Sequence, residues 1–297
     1  MKREPFFTVV IPTYNRAIQL PTTLSTVLRQ TFHDYTVLIV DDGSTDNTSD
    51  VLKNFHECKT IKQTNRERGA ARNTGFLNAD GKYVVFFDSD DIMHPNHLQV
   101  LHDHILQNNF PDFISTKFDF TNESGSHRDS DMAGLRQGFY DYRLFLNGNP
   151  IACNVCVRRA NKAIHPFEED RRYAIKEDWM YLIQNLKKSR LFIVDNTTIS
   201  MLDHPDRSMR SGNKPIIEKT LLAKKWINDH VDLTPSEIKQ LEAHVNYFCA
   251  IHAYLDRDRT GGLTFIRRAL LNGGIRLKYL VLALKLIIGA SIIRRGK

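Results

Sequence analysis

Lys82-Tyr83-Val84-Val85-Phe86-Phe87 runs directly into Asp88-Ser89-Asp90-Asp91, an apolar segment that ends in three carboxylates. The run is short and rich in β-branched and aromatic residues, which reads as a buried strand. Like charges held this close on a fixed backbone cost stability unless a cation offsets them. Oxygen-only ligands suit a hard divalent ion, Mg²⁺ or Mn²⁺, which takes one or two carboxylates and completes its shell with phosphate oxygens and water. Taken alone, the tetrad is equally an acidic loop opening the next helix, because Asp is at home in a first turn.

Upstream, strand and helix signals alternate in the manner of an α/β sheet. Phe7–Ile11 reads as a first strand stopped by Pro12, and Leu20 to Gln30 as a helix with Leu20, Leu24, Val27 and Leu28 at helical spacing. Tyr35–Val40 is a second strand ending in Asp41-Asp42-Gly43-Ser44, and Thr45 to Asp50 caps a helix. Thr60 to Gln63 forms a short third strand, and Arg68 to Gly75 starts another helix. Ligands of open α/β sheets bind beyond the carboxyl ends of strands, and each of these polar clusters lies at such an end.

Downstream of the tetrad, Asp91 with Pro95 reads as the cap and first turn of a helix. Phe113–Phe120 and Ile151–Val157 are strands separated by a polar loop from Glu123 to Gly138. Lys176-Glu177-Asp178-Trp179 opens a helix with acids in its first turn, and Leu191–Val194 and Thr198–Leu202 close the α/β portion. Thereafter the chain is helical: Thr234-Pro235-Ser236-Glu237 is a capping box for a helix to about Leu255, broken by Arg257–Gly262.

The 297 residues suit one large domain or two smaller ones, and 41% hydrophobic with 25% charged residues is an ordinary globular composition. Lys plus Arg exceed Asp plus Glu by 41 to 34, a net +7, which favours phosphate-bearing ligands, nucleic acid or an anionic membrane. Four cysteines and an N-terminus without signal-peptide character lead us to expect a reducing, cytosolic setting. Cys153-Asn154-Val155-Cys156 has redox or zinc spacing, but no second pair completes a tetrahedral site and its surroundings alternate like a strand. No glycine-rich dinucleotide turn and no Walker sequence occur in the first half, which leaves oxidoreductase and P-loop readings weak.

Ile11-Pro12-Thr13-Tyr14-Asn15-Arg16, Val40-Asp41-Asp42-Gly43-Ser44, Arg68-Gly69-Ala70-Ala71-Arg72-Asn73-Thr74-Gly75, Asp88-Ser89-Asp90-Asp91 and Lys176-Glu177-Asp178-Trp179 stand in an order and spacing that closely resemble the family 2 glycosyltransferases, nucleotide-sugar enzymes of the GT-A type. The likeness covers roughly residues 6 to 210. It implies a Rossmann-like mixed, mainly parallel sheet flanked by helices, with a C-terminal helical extension. The nucleotide-sugar half would occupy residues 1–110, the acceptor half 111–215 and the helical region 216–297.

By the same resemblance Pro12, Tyr14 and Arg16 shape the nucleotide pocket, and Asp41 accepts a hydrogen bond from uracil, with Asp42 continuing that loop. Arg72 reaches the nucleotide, as a guanidinium that can hold a carboxylate or phosphate in two places. Asp88 and Ser89 serve ribose or metal, and Asp90 is the principal ligand of Mn²⁺ or Mg²⁺. Asp178 is the catalytic base, taking the acceptor hydroxyl's proton on the side opposite the leaving diphosphate, with Glu177 supporting it or exchanging roles. His204 completes the metal shell, and Arg207 and Arg210 form a basic lid over the diphosphate. For each block a plain structural role stands beside the functional one: a strand-to-helix turn, a helix cap, an exposed helical arginine, a solvated basic loop.

Residues 277–293 are an apolar stretch in which Lys278 and Lys285 share a stripe, flanked by Arg276 and Arg294-Arg295. Burying Lys285 at a bilayer centre would cost about 2.5–3.5 kcal/mol, so a helix over about 276–295 lying in the plane of an anionic membrane fits better than a span. Packing on the chain's own domain or on a partner subunit is the alternative. These features lead to a metal-dependent inverting glycosyltransferase, peripheral at the inner face of the cell membrane, with a nucleotide-sugar donor, a saccharide or lipid-linked saccharide acceptor and no nucleic acid partner, because unmetallated strand-end carboxylates repel phosphate. A related nucleotidyltransferase, which would not need Glu177-Asp178, and a non-catalytic membrane module are the competing readings.

Overall fold

The acid tetrad leaves a parallel sheet built from the first third of the chain. In the structure, a computed structural model that describes residues 4–122, 125–203 and 212–288, the order is β1 (Phe7–Thr13), α1 (Leu20–Val27), β2 (Tyr35–Asp41), α2 (Thr48–Leu52), β3 (Lys59–Lys62), α3 (Glu67–Leu77) and β4 (Tyr83–Phe86). β2 and β4 flank β1 in parallel, and β3 lies outside β2. Pro12 does not stop β1. It sits in register with Val40 of β2 beyond Val10, where pairing with β4 ends, so its missing N–H costs no ladder bond on that side. α3 lies close against β1, since a Cβ added to Gly75 would stand 2.2 Å from Cγ1 of Val10.

The rest of the sheet comes from β5 (Asp91–Met93), β6 (Phe113–Thr121), β7 (His127–Asp129), β8 (Gly138–Tyr140), β9 (Val155–Arg158) and β10 (Leu191–Leu202), with α4 (His97–Gln107) between β5 and β6. The order is β3-β2-β1-β4-β9-β6-β10-β5, with β7 on β6 and β8 on β10. β6 and β10 are parallel, and antiparallel pairing is confined to β5, β7, β8 and β9. This is the mixed, helix-flanked α/β sheet of GT-A proteins.

Three further segments fold differently from their sequence signals. Asp91 caps no helix: it lies in β5, its carboxylate accepts from Leu202 N–H at 3.2 Å, and α4 begins six residues later after Asn96. Leu191–Val194 and Thr198–Leu202 are one strand, because register shifts around Thr197 absorb the polar Asp195-Asn196-Thr197 as a bulge. Ile151 to Asn154 is a turn, with Asn154 N–H donating to Ile151 C=O, and the strand starts at Val155. Cys153 and Cys156 are buried free thiols, and burial pushes the Cys156 thiol well above its usual range, which suits core packing.

The described chain forms two compact units. The first, residues 4–141, 150–174 and 185–203, holds the whole sheet. The second holds residues 142–149, 175–184 and the described chain from 212 onward. It comprises a 3-10 turn (Tyr142–Asn147), the first turns of α5 (Glu177–Asn185), α6 (Asn213–His230), α7 (Pro235–Leu255), α8 (Arg259–Gly273) and α9 (Leu277–Ile288). α7 opens with the expected capping box between Thr234 and Glu237. Glu237 also accepts from Tyr142 Oη at 2.5 Å and Arg143 Nε at 3.1 Å.

Burial works against the Glu237 carboxylate, but the hydrogen bonds from Tyr142, Thr234 and Arg143 prevail and draw its pKa down from 4.5 to about 2. A depressed carboxylate stabilises the fold above its unfolded pKa, and that contribution fades as pH falls from about 4.5 to about 2. Glu237→Ala should therefore lower stability by roughly 1–3 kcal/mol in urea melts at neutral pH, through loss of the cap and its charged hydrogen bonds, with the gap to wild type closing in acid.

Tyr279, Leu282 and Leu286 of α9 pack with Ala250, Ile266 and Ala269 of α7 and α8. Among the described residues no helix is long and apolar enough to cross a membrane.

Candidate active site

Two loops beyond β1 and β2 are tied together by side chains. Asn15, at φ +52°, receives Thr45 N–H on its Oδ1 at 2.8 Å, while its own N–H donates to Ser44 Oγ at 3.0 Å. Arg16 N–H donates to Thr48 Oγ1, and Ala17 N–H to Asp46. Burial opposes ionisation of Asp46, yet bonds from Thr48 and Ala17 outweigh it and hold its pKa below the usual range. These contacts place Tyr14 on the surface and aim Arg16 at the tetrad. The role of Asn15, tying the two loops together, depends on contacts that form only once the loops are folded.

Asp41 and Asp42 are buried. Asp41 accepts from Ser44 N–H at 2.8 Å and Ser49 Oγ at 3.1 Å, with Lys62 Nζ 3.8 Å away. Asp42 accepts from Gln63 Nε2 at 2.7 Å and Arg66 N–H at 2.9 Å, and burial raises its pKa against those bonds. Both carboxylates shape the loop around Gly43, whose φ of +78° and closeness to Asn65 N leave no room for a side chain. The loop geometry thus depends on the two acids read from sequence as nucleotide contacts.

Within the tetrad each acid has a different environment. Arg72, projecting from α3, is 1% exposed, which removes its reading as a surface residue. It donates to Asp88 Oδ1 at 2.9 Å, and its guanidinium carbon lies 5.4 Å from the Phe167 ring centre. Asp90 pairs with Arg16 Nε at 3.3 Å. Ser89 is buried, and Asp91 is held in the sheet as described above. A small cavity lined by Phe86, Asp88, Asp91, Cys153, Asn154 and Met201 opens beside them.

The donor set fits a hard divalent cation in its sparing mode of binding. Asp88 and Asp90 offer two partly exposed carboxylates at a strand end, enough for an ion that completes its shell with phosphate and water. Among the described residues no group of three or more His, Cys, Asp and Glu side chains forms a cage. His204, Arg207 and Arg210, expected as a metal ligand and lid, lie outside the described residues.

In the second unit, Asp178 sits partly exposed in the first turn of α5 while Glu177 beside it is 2% exposed. Asn149 Nδ2 donates to Asp178 Oδ2 at 3.0 Å, and Trp179 N–H to Asp178 Oδ1 at 2.7 Å. Trp179 is anchored in turn by its indole N–H on Phe145 C=O at 2.8 Å. Lys176 is buried against the Phe248 ring at 4.5 Å, and desolvation lowers its pKa. Ile175 has φ +74°, a conformation that costs a β-branched residue on the order of 1–3 kcal/mol and collects at functional sites. Neither Asn149 nor Ile175 carries a sequence signal: one is far upstream, and the other is an ordinary apolar residue.

A chain with a GT-A sheet, strand-end carboxylates and a helix-borne acid of this kind belongs to a defined class. Residues 8–164, more than half of the chain, match the model of Glycosyl transferase family 2, and the protein is a member of that family. An uncharacterized glycosyltransferase of Rickettsia conorii is 38% identical over 133 residues, covering 44% of this chain and 22% of that protein. The poly(ribitol-phosphate) beta-N-acetylglucosaminyltransferase TarP of Staphylococcus aureus is 38% identical over 117 residues, 37% of this chain and 36% of TarP. The matched stretch is therefore well under half the length of either relative. The crystal structure of residues 1–349 of S. aureus TarS with UDP-GlcNAc shares the fold, at TM-score 0.67 and 19% identity over 98% of this chain and 92% of that one.

Proposed function

We propose that this protein is a metal-dependent inverting glycosyltransferase that moves a sugar from a UDP-sugar to a saccharide acceptor. The observation that carries the reading is the pairing of Asp88 with Arg72 and of Asp90 with Arg16, two acids and two guanidiniums at one strand end. That arrangement suits a metal–diphosphate group, which needs carboxylates for the ion and cations for the phosphates. The UDP-GlcNAc complex of TarS and the named activity of TarP, sugar transfer to poly(ribitol-phosphate), support a UDP-linked donor and a polymer acceptor.

In this reading Asp90 and Asp88 hold Mn²⁺ or Mg²⁺, which supplies neutralisation of the leaving diphosphate. Pro12, Tyr14, Arg16, Asp41, Asp42, Arg72 and Ser89 build the nucleotide pocket, with His204 assigned to the metal shell and Arg207 and Arg210 to the diphosphate. Asp178 takes the acceptor hydroxyl's proton as that oxygen bonds to the anomeric carbon and the bond to the diphosphate breaks, while Glu177 supports it. The halves at 1–110 and 111–215 divide donor from acceptor, and the region from 216 carries a membrane-facing helix. The setting is the cytoplasmic face of the cell membrane, with lipid-linked saccharide as acceptor in surface polysaccharide assembly.

The first test is calorimetric titration of UDP, GDP, CDP and dTDP into the protein with Mn²⁺ and then with chelator. UDP should bind selectively and far more tightly with the ion. Equal binding of all four, or binding indifferent to chelator, would reject the donor assignment.

A further inference from the structure

The face of α9 turned away from the protein is apolar and carries a cationic margin. At 100° per residue, Leu277, Leu280, Val281, Leu284, Ile287 and Ile288 fall within an arc of about 120°. All six are exposed, Leu277 at 78% and Leu284 at 56%. On the opposite side of the helix Tyr279, Leu282 and Leu286 are buried in the core of the second unit, so the outer arc is not the helix's packing face. On the helical projection Lys278 and Lys285 lie together along one border of the arc, and Ile275, just before α9, is 83% exposed. Six large aliphatic side chains exposed along one arc of a single helix form a grouped apolar patch, the kind of feature that marks an interaction surface.

Charge identifies what covers this patch. From Arg259 to Lys297 the sequence contains no Asp or Glu, and all nine of its charged side chains are Lys or Arg. A second copy of the same face would bring like charges together with no acid in the segment to answer them, whereas an anionic lipid leaflet offers hydrocarbon for the arc and head groups for the cations. Lys285, at the border of the arc, is placed to bury its stem and keep its ammonium group at the head-group level, whereas Lys278 lays its ammonium over the Tyr247 ring at 4.8 Å.

We propose that α9 stays docked on α7 and α8 through Tyr279, Leu282 and Leu286 and inserts its outer arc shallowly into a negatively charged leaflet. The second unit is thereby a rigid foot on the membrane, in contrast to a detachable tail. This inference rests on and deepens the membrane-facing helix of the proposed function, and its failure is distinguishable from that of the donor-site reading, since vesicle binding can hold where UDP binding fails, and the reverse.

The test is sedimentation of the full chain with vesicles of phosphatidylcholine alone and of phosphatidylcholine mixed with phosphatidylglycerol. The protein should pellet with the mixed vesicles and hardly with the neutral ones. The doubly substituted Leu280→Ser/Leu284→Ser protein should bind more than about tenfold more weakly, with an unchanged thermal transition because both positions are exposed. Lys285→Glu should weaken binding at least about fivefold. Equal pelleting with neutral vesicles, or full binding by Leu280→Ser/Leu284→Ser, would overturn the proposal. So would a wild-type dimer in analytical ultracentrifugation that this double substitution dissociates, because a second copy would then own the face.

Discussion

Asp178→Asn is expected to reduce turnover by about 10²–10⁴-fold, the usual contribution of a positioned general base, while UDP affinity stays within about twofold of wild type. The substitution preserves shape and removes basicity. One amide oxygen can still accept from Trp179 N–H, as Asp178 Oδ1 does at 2.7 Å, but the amide NH₂ then meets the Asn149 donor that Oδ2 now receives at 3.0 Å. Losing that one bond costs about 1 kcal/mol, too little to unfold the unit and far less than the kinetic loss. The useful measurements are kcat and KM for the sugar transfer beside calorimetry of UDP with Mn²⁺. A fall in kcat with unchanged UDP binding fits proton removal, whereas a fall in both points to a disordered site. Glu177→Gln is the companion. Glu177 is nearly inaccessible, so it should cost much less turnover if it only supports its neighbour. Full activity in Asp178→Asn, with Glu177→Gln inactive, would exchange the two roles.

The fold was legible where local signals and tertiary pairing agree. Val9, Val37 and Val85 lie in adjacent strands of the parallel frame, and each sits in a run that reads as a buried strand from sequence alone. Legibility failed where a distant partner decides. Asp91 has helix-opening chemistry, yet β10 captures it as a strand through pairing of Met201 with Asp91, more than a hundred residues away. The polar Asp195-Asn196-Thr197 looks like a break because its bulge is visible only once β6 runs alongside. At the site, Asp88, Asp90 and Asp178 stand out because their chemistry is concentrated in short motifs. The residues that orient them do not. Asn149 reaches Asp178 from 29 positions upstream, and Asn15 ties two loops together through a left-handed backbone that no local propensity demands. The C-terminal helix was legible as amphipathic. That it has two apolar faces, one buried and one exposed, needed the packing of Tyr279 and Leu286.

Asp90→Ala should abolish the Mn²⁺-dependent increment in UDP binding and lower turnover by about 10²–10³-fold or more, because the diphosphate loses its counter-charge in the transition state. Arg16 makes the expected pattern distinctive. Its Nε lies 3.3 Å from Asp90 Oδ2 in a partly exposed pair, and such pairs contribute only about 0–1 kcal/mol to folding, so the thermal transition should scarcely move. Removing the carboxylate releases the Arg16 guanidinium to face an incoming phosphate unopposed. UDP binding in chelator should therefore equal or exceed that of wild type and become more sensitive to salt, as an unscreened phosphate contact requires. A merely misfolded variant would lose binding under both conditions. Adding Arg16→Ala to Asp90→Ala should remove the residual, salt-sensitive binding, which separates the two contributions at the same strand end. If Mn²⁺ strengthens UDP binding to Asp90→Ala as much as to wild type, the ion is held elsewhere and Asp90 serves Arg16 alone.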